Sequence, residues 1–453
     1  MVSNYLDRFA FSTMLFLLIW LPLPLGSNRL WAWSIIEILT FSILLSAIVL
    51  CYFNYHHYAQ RLKKFYPLWL SLSALPVVAI IQIVLNPSAA LPVNASSSAA
   101  LYTEDIARTK SVALLGISYI AFSFCIAFFT HSPRRLRLIA TALVCSAVLQ
   151  VLYAATLLFS GLEKTPIFAV DITNRASGSF IYHNHLANYL LLCGSFGIGL
   201  MISQFKNKHY HSTKAKVYEL LRAMTGRKMV LRSGLILIVI GIVLTRSRMG
   251  NVAFFTSLLF TSLIALTTYK SRPKALVYFI ISLLIVDILV VGSLVGLKNV
   301  EERIKQTSIT AESRDEVIQQ ALPMISENPL LGFGGGSFYT AFNRFQQTDV
   351  GGFYDHAHND YLQIAVEYGL PALGIVSISV LFALILCVQT MRTRQSQTMK
   401  GLAFGICMAI IGMLIHSFVD FNLQAPANAL TFITLLTLAV TVRYMPQKGW
   451  SKQ

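Results

Sequence analysis

Charge is scarce in this 453-residue chain, because only 12% of its residues are Asp, Glu, Lys or Arg. A typical soluble domain carries about 25%. Hydrophobic residues make up 55% of the chain, in runs of roughly 20 residues, long enough to cross about 30 Å of hydrocarbon. This composition excludes an ordinary soluble domain and predicts an all-α, polytopic membrane protein. The first apolar run lacks a small-residue cleavage site and another run follows at once, so we expect no cleavable signal peptide.

Paired cysteines are also missing. The six cysteines lie in or beside apolar runs, without the spacing of a metal site or a disulfide framework: Cys51, Cys125, Cys145, Cys193, Cys387 and Cys407. We interpret them as small core residues.

Acidic residues are few as well, 19 against 36 Lys and Arg, which gives a net charge of +17. The basic residues fall in short loops between apolar runs, and this distribution indicates membrane topology instead of nucleic-acid binding. We predict about twelve spans, beginning near residues 9, 31, 66, 111, 138, 185, 233, 251, 275, 361, 401 and 425. The basic loops then share one side with both termini, which we expect to be cytoplasmic.

Four regions follow from this topology. Residues 1–160 would hold five spans, 161–297 four spans, 298–360 a large outer, periplasmic loop, and 361–453 the last three spans with a cytoplasmic C-terminus. A basic cytoplasmic loop at 205–232 has the pattern of an anchor on anionic lipid.

The large outer loop is expected to be ordered. Ser313 and Glu316 form a capping-box pattern, which predicts an amphipathic helix that ends before Pro329. The glycine-rich stretch 332–338 lacks both the P-loop and the dinucleotide-binding patterns, so we predict a turn that folds the loop back on the helices.

Arginine occurs where topology does not require it. Arg246 and Arg248 lie at the outer end of the seventh span, and Arg175 lies in an outer loop, against the positive-inside tendency. The planar fork of an arginine suits phosphate oxygens. Snorkelling, or an ion pair with a loop carboxylate, is the alternative.

The sixth predicted span opens with polar residues. Asn184 and Asn188 are four apart and share a helical face, which must contact protein or water instead of lipid. His183 and His185 could equally form structural hydrogen bonds or contact a ligand.

The segment 355–360, DHAHND, contains His356 and His358. Three interpretations are open: a metal site, a helix cap formed by Asn359 or Asp360, or a neutral imidazole that accepts a proton as a general base. Further along, Asp420 could pair with one of the arginines or simply be solvated at a helix end.

These segments together resemble the O-antigen ligase and polymerase family of bacterial inner membranes. The resemblance covers residues 160–440 and rests on five pieces: RASGSFIYHNHLANYLL, TRSRMG, SRDEVIQQALPMISENPLLGFGGGSF, DHAHNDYLQIAVEYGLPALG and HSFVDFNLQAPANALTF. Members of this family transfer a glycan from undecaprenyl diphosphate to an acceptor at the periplasmic face. The resemblance implies the membrane C-type glycosyltransferase fold and an inverting reaction without a metal or other cofactor.

The resemblance also implies roles for single residues. His358 is similar to the catalytic histidine, and Arg175 and Arg248, with Arg246 beside them, to the residues that bind the diphosphate. His356, Asn359, Asn184, His185 and Asp420 would support the site or position the substrate.

The acceptor decides which reaction is catalysed. A lipid A-core sugar would make the protein a ligase, which we favour; a second lipid-linked repeat would make it a polymerase, and a protein hydroxyl an oligosaccharyltransferase. A small-anion transporter is an alternative of another class. The chain shows no internal repeat and no mid-span polar cluster, which favours an enzyme.

Overall fold

The computed structural model describes residues 2–53, 55–86, 102–204, 226–269, 281–282, 316–346 and 354–446. Within these ranges the regular structure is helical, and the only β contact is an isolated bridge between Lys164 and Asp171. The prediction of an all-α, multi-pass architecture is confirmed to that extent.

The helices follow one another in the order α1 (Val2–Trp20), α2 (Leu30–Phe53), α3 (Tyr55–Leu62), α4 (Tyr66–Leu72), α5 (Ala74–Leu85), α6 (Ile106–Phe129), α7 (Pro133–Phe159), α8 (His183–Ile202), α9 (Arg227–Leu244), α10 (Arg248–Thr268), α11 (316–327), α12 (Phe338–Ala341), α13 (Asp360–Thr393), α14 (Gln397–His416) and α15 (Pro426–Tyr444).

Eight of the described helices are long and apolar enough to cross a membrane: α2, α6, α7, α8, α10, α13, α14 and α15. A ninth span is possible where Tyr58–Leu72 and Ala74–Leu85 form a pair bent by 46°. Of the other predicted spans, α1 and α9 fall outside this set, and the span near residue 275 lies outside the described residues. Twelve spans therefore remain a prediction.

The helix ends form two separate groups. At one end Arg135 pairs with Asp7 at 2.6 Å, and Arg443 donates to Thr393 at 3.0 Å. At the other end Asn428 on α15 donates to the backbone oxygen of His185 on α8. We call this second end, which carries His356 and His358, the histidine end.

Helix α8 lies in the middle of the bundle, and its apolar window is completely buried. Its polar first turn therefore faces protein, as the sequence predicts. It crosses α14 at backbone contact distance, because a Cβ added to Gly405 would lie 2.5 Å from the carbonyl oxygen of Ser195. Small residues at such a crossing allow two membrane helices to approach closely.

The described part of the large loop has a small core of its own. Val317, Ala321 and Met324, on one face of α11, are fully buried and pack in a cluster that includes Phe333 and Phe342. This spacing of four and three residues confirms the predicted amphipathic helix, which ends before Pro329; Ser313 of the capping box lies outside the described residues.

The glycine-rich stretch is the predicted turn, and it completes a break in α13. At Gly369 the backbone leaves the helix with φ 81° and ψ 165°, a conformation that glycine adopts easily. The carbonyls left open by the break accept hydrogen bonds from the backbone N–H groups of Phe333 and Gly334, at 2.9 and 3.1 Å. The loop is thereby fixed to the first, short half of α13, residues 360–368.

The crossing of α8 and α14 gives a stability prediction. Replacing Gly405 with Ala places a methyl group against the α8 backbone and should lower the free energy of unfolding by about 1–3 kcal/mol. Gly374→Ala is the matched control, because no atom lies within 4 Å of its added Cβ. That helix substitution should be neutral or stabilise by about 0.5–1 kcal/mol. Thermal denaturation of both variants in detergent tests this; equal melting temperatures would contradict the crossing.

Candidate active site

Phe421 is the centre of an aromatic cluster at the histidine end. His356 stacks on its ring with a centroid distance of 4.5 Å, while His358 and His185 meet it edge-on at 4.9 and 4.8 Å. Tyr182 stacks on it at 5.7 Å. The structure therefore brings together residues that are more than 230 positions apart in the sequence.

Gln363 fixes the hydrogen bonding of His356. The side-chain oxygen of Gln363 accepts from the backbone N–H of Ala357 at 3.2 Å, so its NH₂ group must face the other way. That group lies 2.9 Å from Nδ1 of His356 and 3.0 Å from the carboxylate of Glu367. Because the amide can only donate there, Nδ1 of His356 accepts and its proton is on Nε2.

The charge state of His356 follows from its surroundings. Its pKa is lowered to about 3, mainly by burial and also by the nearby His358 and Arg108, against the opposing effect of the hydrogen bond with Gln363. His356 is therefore a neutral donor through Nε2 at physiological pH.

His358 adopts a left-handed backbone conformation, with φ 51°. This region is unfavourable for a residue with a Cβ, and such strain concentrates at functional sites. The next residue, Asn359, is the N-cap of α13: its side-chain oxygen accepts from the N–H of Leu362, and its NH₂ group donates to the carbonyl of Phe418. Asn359 thus orients the segment that carries both histidines.

Asp360 is not the cap but connects three elements. Its buried carboxylate accepts from the hydroxyl of Ser417 at 2.8 Å and from the N–H of Leu423 at 3.1 Å. Its own N–H donates to the carbonyls of Ser417 and Asp420. The start of α13 is therefore held against the segment between α14 and α15, which carries Phe421.

The predicted arginines lie on the same end, in two adjoining segments. The backbone N–H of Ala176, next to Arg175, donates to the carbonyl of Leu244, just before Arg246 and Arg248. Arg175 itself donates to Nε2 of His183 at 3.0 Å, and His183 contacts Tyr182. A continuous set of contacts thus leads from Arg175 to Phe421.

All three arginines are exposed. Among the residues that the structure describes, none of them forms an ion pair with a carboxylate, which was one of the two alternative explanations for their position; the other was snorkelling.

The remaining predicted residues are buried beside this cluster. Asn184 and His185 lie in the first turn of α8, and Nε2 of His185 has no hydrogen-bond partner within the described part of the chain. The carboxylate of Asp420 accepts from the N–H of Phe421 and lies 3.9 Å from Nε2 of His416.

A cavity of about 720 Å³ is lined in part by His356. Its walls come from α2, α4, α5, α6, α13, α14 and α15 and are mostly apolar. The polar groups that line it include Arg29, Arg108, Asp355, His356 and Glu367. Phe421, His358 and the three predicted arginines are not among its lining residues.

A comparison with protein families matches residues 233–377 to the family described as O-antigen ligase. This match covers less than half of the chain, and it supports a relation to the O-antigen ligase and polymerase family. The match indicates a glycosyltransferase-like enzyme of ligase or polymerase type, and it implies in general a lipid-linked glycan and a lipid acceptor. No curated protein matches the chain.

The O-antigen ligase match contains only part of the site. It includes Arg246, Arg248, His356, His358 and Asn359, whereas Arg175, Asn184, His185 and Asp420 lie outside the matched range. The roles assigned to all of these residues stay predictions. No group of three or more His, Cys, Asp or Glu side chains suited to a metal occurs among the described residues, and the expectation of a metal-independent reaction is likewise untested.

Several residues of this candidate site are not evident from the motifs. Phe421 and Gln363 resemble ordinary helix-end and helix-surface residues in the sequence, and only the folded chain reveals their contacts. Arg29 and Arg108 could have been identified from the sequence as candidate functional residues, because both lie in predicted outer loops, where the positive-inside tendency makes arginine unexpected.

The tautomer of His356 can be measured directly. In ¹⁵N-histidine-labelled protein we expect the His356 signals to show a neutral ring with its proton on Nε2, unchanged between about pH 5 and 8, because its pKa lies below this window. Gln363→Leu removes the donor to Nδ1 and should produce a mixture of tautomers. His356→Gln identifies the signals. A His356 signal that titrates near its ordinary pKa of about 6.5 would contradict the assignment.

Proposed function

We propose that this protein is an O-antigen ligase, which transfers a polysaccharide from undecaprenyl diphosphate to a lipid A-core sugar hydroxyl at the periplasmic face of the bacterial inner membrane. The main support is the set of contacts that joins His358 to Arg175 through Phe421, Tyr182 and His183. A general base and a phosphate-binding fork at one end of a membrane bundle suit a lipid diphosphate donor. We also propose twelve spans of the C-type fold, with both termini cytoplasmic.

The proposed reaction is an inverting displacement without a metal. The acceptor hydroxyl oxygen attacks the anomeric carbon of the donor sugar, and His358 takes the hydroxyl proton. The bond from the anomeric carbon to the diphosphate oxygen breaks on the opposite face, and the electron pair leaves with the undecaprenyl diphosphate.

Arg175 and Arg248, with Arg246 beside them, offset the charge that develops on this leaving group. Neutral His356 is suited to donate through Nε2 to a substrate oxygen, while Asn359, Asn184, His185 and Asp420 hold the surrounding segments.

Loss of the base should abolish transfer. His358→Ala should reduce ligation to background, because the attacking hydroxyl keeps its proton, while the membrane level of the protein stays normal. The assay incubates purified protein with undecaprenyl-diphosphate-linked glycan and lipid A-core, and gel mobility reports the product. His183→Ala is the comparison, and it should impair transfer only partly, because it removes a support of Arg175 and no proton acceptor. Full activity of His358→Ala would refute the base assignment.

The shape of the arginine matters in addition to its charge. Arg248→Lys keeps the charge but loses the planar fork, so we expect about a tenfold or greater fall in transfer rate. Arg344→Lys is the matched control at the same end, because Arg344 is exposed and already pairs with Glu104 at 2.6 Å. Equal rates for the two variants would contradict bidentate binding of the diphosphate at Arg248.

A deletion strain separates the ligase from a polymerase. Polymer that accumulates on the lipid carrier, with lipopolysaccharide lacking it, is the outcome expected for a ligase. Loss of the polymer itself, with single-repeat products, would instead assign a polymerase.

A further inference from the structure

The 720 Å³ cavity is separate from the donor-binding residues assigned above. Arg175, Arg246, Arg248 and His358 do not line it, whereas His356 does. His356 also stacks on Phe421, whose ring contacts His358 edge-on. His356, which lines the cavity, and His358, the proposed base, thus contact the same aromatic ring, one stacked on its face and the other edge-on.

The depth of the cavity corresponds to one leaflet of a bilayer. Along α6 its lining extends from Arg108 to Ile120, and along α15 from Pro426 to Leu436. At 1.5 Å per residue these distances are about 18 and about 15 Å, half of the roughly 30 Å of hydrocarbon. Beyond Arg108, the residues of α6 and α15 that line the cavity are mostly apolar. This part of the cavity therefore suits a hydrocarbon chain.

The cavity also opens sideways. Leu30 at the start of α2 and Leu381 on α13 line it, and both are 57% exposed on the outside of the bundle. In a membrane-spanning bundle this surface faces lipid, so an amphiphile can reach the cavity from the bilayer itself.

Two arginines provide the charge at the mouth. The guanidinium of Arg108 lies 4.5 Å from the ring centroid of Trp33, and Arg29 donates to the backbone carbonyl of Asn28. Within the described residues neither forms an ion pair with a carboxylate.

The two buried carboxylates that line the cavity are already engaged. Asp360 bonds to Ser417 and Leu423, and Glu367 bonds to Gln363. Asp355, the third carboxylate of the lining, is exposed and forms no ion pair among the described residues. The arginine forks therefore remain available for phosphate oxygens.

We propose that this cavity binds the acceptor of the transfer: a phosphate-bearing glycolipid of the same leaflet. Its acyl chain lies between α6, α13 and α15, its phosphate contacts Arg29 and Arg108, and its sugar hydroxyl is presented beside His356 toward His358. This assignment rests on the proposed function, since it requires a second substrate next to the donor site.

Trp33 reports on occupancy, because a phosphate on Arg108 changes the environment of the ring below it. Full-length protein is reconstituted in phosphatidylcholine nanodiscs and titrated with lipid A, a bisphosphorylated glycolipid. The Trp33 signal is the emission change that disappears in a Trp33→Phe background. We expect a saturable change with lipid A, and about a tenfold weaker response in Arg29→Gln/Arg108→Gln, since charged hydrogen bonds to phosphate are lost.

Matched variants locate the effect. Lys110→Gln removes one positive charge from the same exposed end of α6 but does not line the cavity, so its response should equal that of the wild type. Arg175→Gln should also keep the response to lipid A, because it belongs to the donor side.

Two further titrations decide between ligands. If undecaprenyl diphosphate, and not lipid A, gives the signal that depends on Arg29 and Arg108, the cavity is a donor site and the proposal is wrong. If inorganic phosphate alone gives the full response, or if no lipid changes the Trp33 signal, the lipid site is refuted. The assay needs no turnover, so a protein that binds lipid A in this way but transfers no glycan contradicts the proposed function, while the cavity still binds a phosphate-bearing glycolipid.

Discussion

The arrangement of the histidine end depends on one buried carboxylate, that of Asp360. An ionised or protonated carboxyl group in this position must be hydrogen-bonded, because an unsatisfied one would be costly. The partners it finds are Ser417 at the end of α14 and Leu423 before α15. These bonds fix the position of Phe421 relative to the start of α13, and the aromatic cluster follows from that position.

The backbone just before Asp360 explains why His356 and His358, only two residues apart, contact Phe421 in different orientations. His358 turns through a left-handed conformation immediately before the cap at Asn359, so the two rings approach Phe421 in different orientations. Gln363 and burial keep His356 neutral, with a fixed proton. The segment thereby separates a proton donor of fixed geometry from the residue assigned as base.

Much of this could be predicted from local sequence patterns, because spans, helix caps and the glycine turn depend on neighbouring residues. The amphipathic face of α11 and the protein-facing first turn of α8 are clear examples. The sequence left Asn359 and Asp360 open as the cap of α13; the structure shows that Asn359 is the cap and Asp360 the first helical residue, and only the tertiary contacts of Asp360 reveal its further role. Phe421 and Gln363 have no local pattern at all. Arg29 and Arg108 could have been predicted if the positive-inside argument had been applied to every outer loop. It was applied only to the outer loops that contain the motifs.

The balance of charge at the histidine end favours anionic amphiphiles in general. Most of its described carboxylates already have a partner. Asp360 accepts a hydrogen bond from Ser417, Glu367 accepts from Gln363, and Glu104 pairs with Arg344. Asp105 accepts from Tyr339 and caps α6. Five arginines, Arg29, Arg108, Arg175, Arg246 and Arg248, have no such ion pair among the described residues. Arginine without a carboxylate partner at a bilayer surface is stabilised by phosphate. These arginines divide between the cavity mouth and the segments beside His183, so the proposed donor and the proposed acceptor would each have arginines of their own, as transfer between two membrane-bound substrates requires.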